Sequence, residues 1–301
     1  MVKQKKILIT GVNGLVGYRL SEYLREMTSW SVIGTSRKKG PMVDCIADLT
    51  KKVDVERIKK SIQPDVIIHT AAIVGANECD KYPEICYTTN VDATANLCEI
   101  FSNSYFIYFS TCAVYDTPTG RCNELCETSA SNYYVQTKLE AEEYVKKMNN
   151  HVILRPSVIF GFVDHHKNNN YFMQLLEIIR SKRVMYSPRD QFFNPIYVDT
   201  VVDILVKIIE SDVQGIYNIG STEVISKYEF NSLLMEIFDL DRNYIEGVTS
   251  EFFSVKRPQM GTISSEKIQR DLPYHIPTLI EMFERLHSTS KEKIEAYLIS
   301  S

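Results

Sequence analysis

Lys6-Ile-Leu-Ile-Thr10-Gly11-Val12-Asn13-Gly14-Leu15-Val16-Gly17 decides the fold. Ile7, Leu8 and Ile9 form an unbroken apolar run, as a strand covered on both faces requires. Leu15, Val16, Leu20, Tyr23 and Leu24 then recur on one face of a helix over 15–26. Three glycines separate the two elements. Gly11 permits a tight turn, Gly14 lets the backbone approach a pyrophosphate, and Gly17 lets the helix pack close to the strand. The partial positive charge of the helix N-terminus then faces the phosphates. Gly11, Asn13, Gly14, Leu15, Val16 and Gly17 are the residues expected at a bound dinucleotide.

Working outward, strands and helices alternate. Strands are read at 31–35, 43–46, 66–68, 105–110 and 151–155, and helices at 53–61, 82–101 and 133–148. This alternation predicts a doubly wound, parallel α/β sheet of the Rossmann type. After Arg155 it loosens. Helices are read at 170–181 and 200–210, with Asp199 as the N-cap of the second. Ser226 and Glu229 form a capping-box pattern ahead of an apolar periodicity over 226–238. The expected division is a dinucleotide-binding domain over 1–155 and a smaller C-terminal substrate lobe over 156–301, with interleaved borders.

Length and charge narrow the function. The 301 residues suffice for a sizeable core. Lys plus Arg number 34 against 38 Asp plus Glu, a net charge of −4. No basic field marks a nucleic-acid or membrane-surface protein. No apolar run approaches the ~18 residues of a membrane span. Seven cysteines is an odd count in a chain too large for a disulfide scaffold, so a reducing cytoplasm is expected. Cys79, Cys86 and Cys98 read as core or helix-surface thiols, and His69 as hydrogen-bonded structure at a strand end.

The cofactor is read at the end of the second strand. An NAD site places a carboxylate ~20 residues beyond the glycines, on the ribose hydroxyl. This chain has Gly34-Thr35-Ser36-Arg37-Lys38-Lys39 there. Ser36 and the Arg37 guanidinium suit the 2′-phosphate of NADP. Asp48 and Leu49, after the third strand, are expected at the adenine edge.

The chemistry is read from Tyr134-Val-Gln-Thr-Lys138 at a helix start. Residues at i and i+4 share a helix face. Lys138 is expected to lower the Tyr134 phenol toward working pH, so that Tyr134 can exchange a proton with a sugar or alcohol oxygen. Tyr133 lacks this offset. Ser110-Thr111-Cys112 closes the strand between the glycine turn and this helix.

With these residues in place, the chain resembles the extended short-chain dehydrogenase/reductase family over almost its whole length. The carrying residues are Gly11/Gly14/Gly17, Asp48-Leu49, His69-Thr-Ala71-Ala72, Asn90, Ser110-Thr111, Tyr134/Lys138 and Arg155-Pro156. Within that family it looks most like the dTDP-4-dehydrorhamnose reductases, through Glu78-Cys-Asp80-Lys-Tyr-Pro83, Ser110–Asp116 and Lys256-Arg257-Pro258. The resemblance implies an NADPH-dependent reductase of the C4 keto group of a nucleotide-linked 6-deoxy sugar. Thr111 and Tyr134 would share the substrate O4. Lys138 would bind the cofactor, with Ala71, Ala72 and Asn90 beside it, and Arg257 would lie near the sugar nucleotide. A homodimer through the helices at 82–101 and 133–148 is a further family expectation.

Departures from the pattern keep alternatives open. The reductases resemble Ser-Thr-Asp-Tyr where this chain has Ser110-Thr111-Cys112-Ala113. GDP-fucose synthase resembles Ser-Ser-Cys, its cysteine acting in epimerisation, so Cys112 with His165 or His166 opposite it would make an epimerase-reductase. The 4-epimerases resemble Ser-Ser-Ala-Ala-Val-Tyr-Gly over the same stretch, so a nucleotide-sugar epimerase is a second alternative, and the third is a non-catalytic NADP-binding regulatory subunit, since the β subunit of methionine adenosyltransferase resembles the same group.

Overall fold

The apolar run at 7–9 loses all contact with solvent in β1 (Lys6–Thr10). In the computed structural model, which describes residues 4–115, 120–163, 170–253 and 260–299, β1 is central to a seven-stranded sheet. Its other strands are β2 (Ser31–Ser36), β3 (Cys45–Ile46), β4 (Val66–His69), β5 (Tyr105–Phe109), β6 (His151–Pro156) and, at one edge, Gly215–Ile219. The order from that edge is Gly215–Ile219, β6, β5, β4, β1, β2, β3. From β6 to β3 every pairing is parallel. Strand order reverses between β1 and β4, and such sheets bind ligands outside the carboxyl ends of strands at that reversal.

Among the described residues the chain forms two compact units, one of 4–115, 127–155 and 204–217, the other of 120–126, 156–203 and 218–299. In the first, α1 (Leu15–Met27) and α2 (Lys52–Ile62) follow the phosphate turn and β3. The second holds helices Tyr171–Arg180, Lys227–Ile237 and Leu279–Ile299, while Val198–Ser211 runs from the second unit into the first. Phe160, Phe230 and Phe283 pack there with ring centroids 5.1–5.3 Å apart. The Ser226–Glu229 capping box is fully formed.

Several sequence expectations are corrected. The helix expected over 82–101 is present from Pro83 to Ile100, as α4 (Pro83–Tyr87) continuing into α5 (Ala93–Ile100), but a short helix before it, α3 (Ala76–Lys81), was not expected. Pro83 has no N–H to continue a helix and sits instead at the first position of α4. A π turn, Thr88–Asp92, joins α4 to α5. The non-helical Tyr82 between α3 and α4 lets α4 turn back on α3, and Cys79 and Cys86 form a disulfide with Cα atoms 5.2 Å apart, within normal bridging reach. They are therefore not the free thiols expected. Asp199 is not an N-cap: it lies within the first turn of Val198–Ser211, accepts from the Tyr197 hydroxyl and faces Arg285. Leu279–Ile299 was not anticipated. Its Met282, Phe283, Leu286 and Ile294 are buried.

Candidate active site

The glycine turn has the form its spacing demands. Gly11 adopts φ +71°, and a Cβ there would meet the Ala71 nitrogen at 2.7 Å. At Gly17 a Cβ would meet the Gly11 carbonyl oxygen at 2.6 Å. Gly14 caps α1 without any side-chain hydrogen bond, so the first N–H groups of α1, from Leu15, Val16 and Gly17, are left for an anion.

A groove of ≈ 210 Å³ opens beside this turn, lined by Gly11, Asn13, Gly14, Ser36, Arg37, Asp48, Leu49, Ala71 and Ala72. Thr35, Ala47, Thr50, Thr70, Thr89 and Ala93 line it too; nothing in sequence spacing marks them. Leu15 and Gly17 are buried behind it, and their part is played by the backbone. Asn13 Nδ2 donates to Ser36 Oγ and the Lys38 carbonyl, while its Oδ1 is buried and receives no hydrogen bond. Asp48 is turned back on Thr50, whose N–H and hydroxyl it accepts. The end of β2 offers a hydroxyl and an exposed guanidinium, Arg37.

Asn90 does not line the groove. Its Oδ1 accepts from the Ile73 N–H at 2.8 Å, and its Nδ2 donates to the Ile73 carbonyl and Thr137 Oγ1, both at 3.0 Å. It holds the loop after β4 against α6 (Tyr133–Val145). His69 is fully hydrogen-bonded in the interior: Nδ1 lies 2.7 Å from Thr10 Oγ1 and Nε2 3.0 Å from Thr94 Oγ1. Thr10 Oγ1 also accepts from the Ala71 N–H. Burial, aided by the Lys138 charge, pushes His69 down to about 3.

Thr111, Cys112, Tyr134 and Lys138 come together at the carboxyl end of β5. Asn132 caps α6 by accepting from the Val135 N–H. Tyr134 hydrogen-bonds with Thr111 and lies near Cys112. Lys138 is buried; its Nζ donates to the Phe109 carbonyl and sits 4.3 Å from the centroid of the Tyr108 ring. The electrostatics reverse one expectation. Burial pushes the Tyr134 phenol up to about 12, against the pull of its hydrogen bond to Thr111. Burial also lowers Lys138 to about 7, although Glu142 opposes this. Lys138 therefore does not bring Tyr134 toward neutrality, because desolvation outweighs a cation that is itself partly discharged. A phenol that keeps its proton is the correct form for a donor. Arg257, His165 and His166 lie outside the described residues.

Sequence reasoning missed Glu142, one turn after Lys138 and wholly buried. A carboxylate four residues beyond a catalytic-type lysine on one helix face was the available signal.

Residues 5–289 match the family described as RmlD substrate binding domain. The chain belongs to this family. Among relatives of the RmlD-family chain, methionine adenosyltransferase 2 subunit beta of Xenopus laevis is 25% identical over 279 residues, 89% of this chain and 83% of that one. The spore coat polysaccharide biosynthesis protein SpsK of Bacillus subtilis (strain 168) is 23% identical over 269 residues, 88% of this chain and 90% of that one. The crystal structure of dTDP-4-dehydrorhamnose reductase from Bacillus anthracis in complex with NADP superimposes with a TM-score of 0.84. It is 23% identical and covers 95% of this chain and 99% of its own.

Proposed function

We propose that this chain is an NADPH-dependent reductase of the C4 keto group of a nucleotide-linked 6-deoxy sugar. The observation that carries the reading is the meeting of Thr111, Tyr134 and Lys138 at the end of β5, in the unit that also holds the glycine-walled groove. The groove fits a dinucleotide phosphate: Gly11 and Gly17 close the turn so tightly that a Cβ on either would strike backbone, the first N–H groups of α1 are left for an anion, and no carboxylate ends β2. Ser36 and Arg37 would hold the 2′-phosphate, Asp48 and Leu49 the adenine edge, and Lys138 the nicotinamide ribose. When bound, NADPH supplies a hydride. Tyr134, protonated at neutral pH, gives its proton to the oxygen that becomes the new hydroxyl, and Thr111 orients that oxygen. The C-terminal unit, with Arg257, would take the nucleotide sugar.

The test is steady oxidation of NADPH in the presence of UDP-, dTDP- and GDP-linked 4-keto-6-deoxy sugars. At least one should be turned over. Tight NADPH binding with no turnover of any would refute the reductase. That outcome would favour a second reading, a cofactor-binding subunit, which the likeness to methionine adenosyltransferase 2 subunit beta supports. Co-purification with a methionine adenosyltransferase catalytic chain would then be the measurement. A cytoplasmic location is part of the same proposal. A homodimer through the segments 82–101 and 133–148 accompanies this reading, supported by the exposed Tyr82, Ile85 and Tyr144, and light scattering of the purified chain tests it.

A further inference from the structure

Glu142 is the hub of a buried polar network behind the Thr111–Tyr134 pair. Its Oε1 accepts from Ser110 Oγ at 2.5 Å and Arg155 Nε at 3.0 Å, and its Oε2 from Arg155 Nη2 at 2.6 Å. Arg155 Nη1 donates in turn to the Tyr115 hydroxyl at 2.8 Å. Ser110 immediately precedes Thr111, and Tyr115 immediately follows the short turn Cys112–Val114. The turn that carries Thr111 and Cys112 is thus tied at both ends to one ion pair. Glu142 also lies one helical turn beyond Lys138 and two beyond Tyr134, on the same face of α6. A buried ion pair of this kind is weak ground for stability, because desolvation consumes most of the Coulombic gain. What it adds is geometry: the bidentate Arg155 fork fixes direction as well as distance.

We propose that Glu142 is a positioning residue: its carboxylate holds the Thr111–Cys112 turn, through Ser110 on one side and Arg155 and Tyr115 on the other, against the helix face that carries Tyr134 and Lys138. The inference rests on the reductase reading for its catalytic consequence, and on the hydrogen bonds alone for its structural one. Misplacement of reacting groups by ~1 Å can cost ~100-fold in rate, so a loosened turn lowers kcat while cofactor binding stays.

Glu142→Gln leaves the Arg155 charge buried beside a neutral amide and is open to misfolding, so the ties are cut singly instead. Ser110→Ala and Tyr115→Phe each remove one hydroxyl and leave the ion pair. Each should lower kcat about tenfold or more, with KM and the NADPH dissociation constant within about twofold of the unmodified chain. Ser110→Thr, which restores the hydroxyl, should recover kcat. Hydrogen exchange over 111–115, which needs no substrate, should quicken in the two deletion variants and not elsewhere. Unchanged exchange would overturn the proposal. So would faster exchange with an unchanged kcat, which would leave Glu142 a purely structural group. An unmodified chain that reduces no keto sugar would remove the reductase reading, and exchange alone would then decide whether Glu142 holds the turn.

Discussion

Acidification should weaken this fold through one ring, His69. Thr94 Oγ1 donates its hydrogen to the Asn90 carbonyl at 2.7 Å, so toward His69 Nε2 it can only accept. Thr10 Oγ1 accepts from the Ala71 N–H and gives its own hydrogen to Nδ1. The network therefore assigns the Nε2–H tautomer, and a second proton on Nδ1 would point at a donor inside the core. The unfolded ring titrates at 6.5 and the folded one at about 3. Between these values the unfolded chain binds the extra proton and the folded chain does not, so stability falls as pH drops below 6.5 and the loss levels off near 3. At ~1.4 kcal/mol per pH unit, about 2 kcal/mol is lost by pH 5 and about 3 kcal/mol by pH 4. Urea unfolding of the parent chain and of His69→Gln at pH 7, 5 and 4 measures this, because the titrations of all other groups cancel in the difference. The parent should lose about 3 kcal/mol more than the variant between pH 7 and 4. A stability difference that stays constant across that range would show that the ring charges freely in the folded state and that the network is drawn wrongly.

Other outcomes follow from the site. Arg37→Asp should erase or invert a preference for NADPH over NADH of about tenfold or more; equal affinities in the parent chain would remove Arg37 from the 2′-phosphate. Tyr134→Phe should cut turnover by about 10²–10⁴-fold with little change in NADPH binding, and Tyr133→Phe should do much less; the reverse ranking would reassign the donor. Incubation with a 4-keto-6-deoxy sugar nucleotide in D2O without NADPH tests Cys112. Deuterium at C3 or C5 that disappears in Cys112→Ser would make the chain an epimerase-reductase, and no exchange would leave Cys112 a half-buried residue of the turn.

The sheet and its dinucleotide groove were legible because they rest on local signals: an apolar run, three spaced glycines of which Gly11 and Gly17 leave no room for a Cβ, and Tyr134 and Lys138 one helical turn apart. The pieces that escaped depend on distant partners. Asn90 was assigned to the cofactor by family resemblance, whereas its amide is consumed by Ile73 and Thr137. The Tyr134 phenol was misjudged because helix spacing reveals the neighbouring cation but not how much water both groups lose. The Cys79–Cys86 bridge escaped because Cys79 sits on α3, a six-residue helix too short for its periodicity to be read, folded back on α4. Two-residue strands such as Phe192–Phe193 carry no periodicity to detect.

The π turn at Thr88–Asp92 has a consequence for how this segment can change. Such a turn winds one residue more into the helix than α geometry holds, so it is a property of chain length. Replacing a side chain at any of these positions leaves the extra residue in place. Deleting one would regularise the helix and rotate everything before it by ~100° about the axis, carrying Cys86 out of line with Thr137 on α6 and the Asn90 amide out of line with Ile73. Anyone grafting this loop onto another scaffold would have to copy its count of residues before its chemistry.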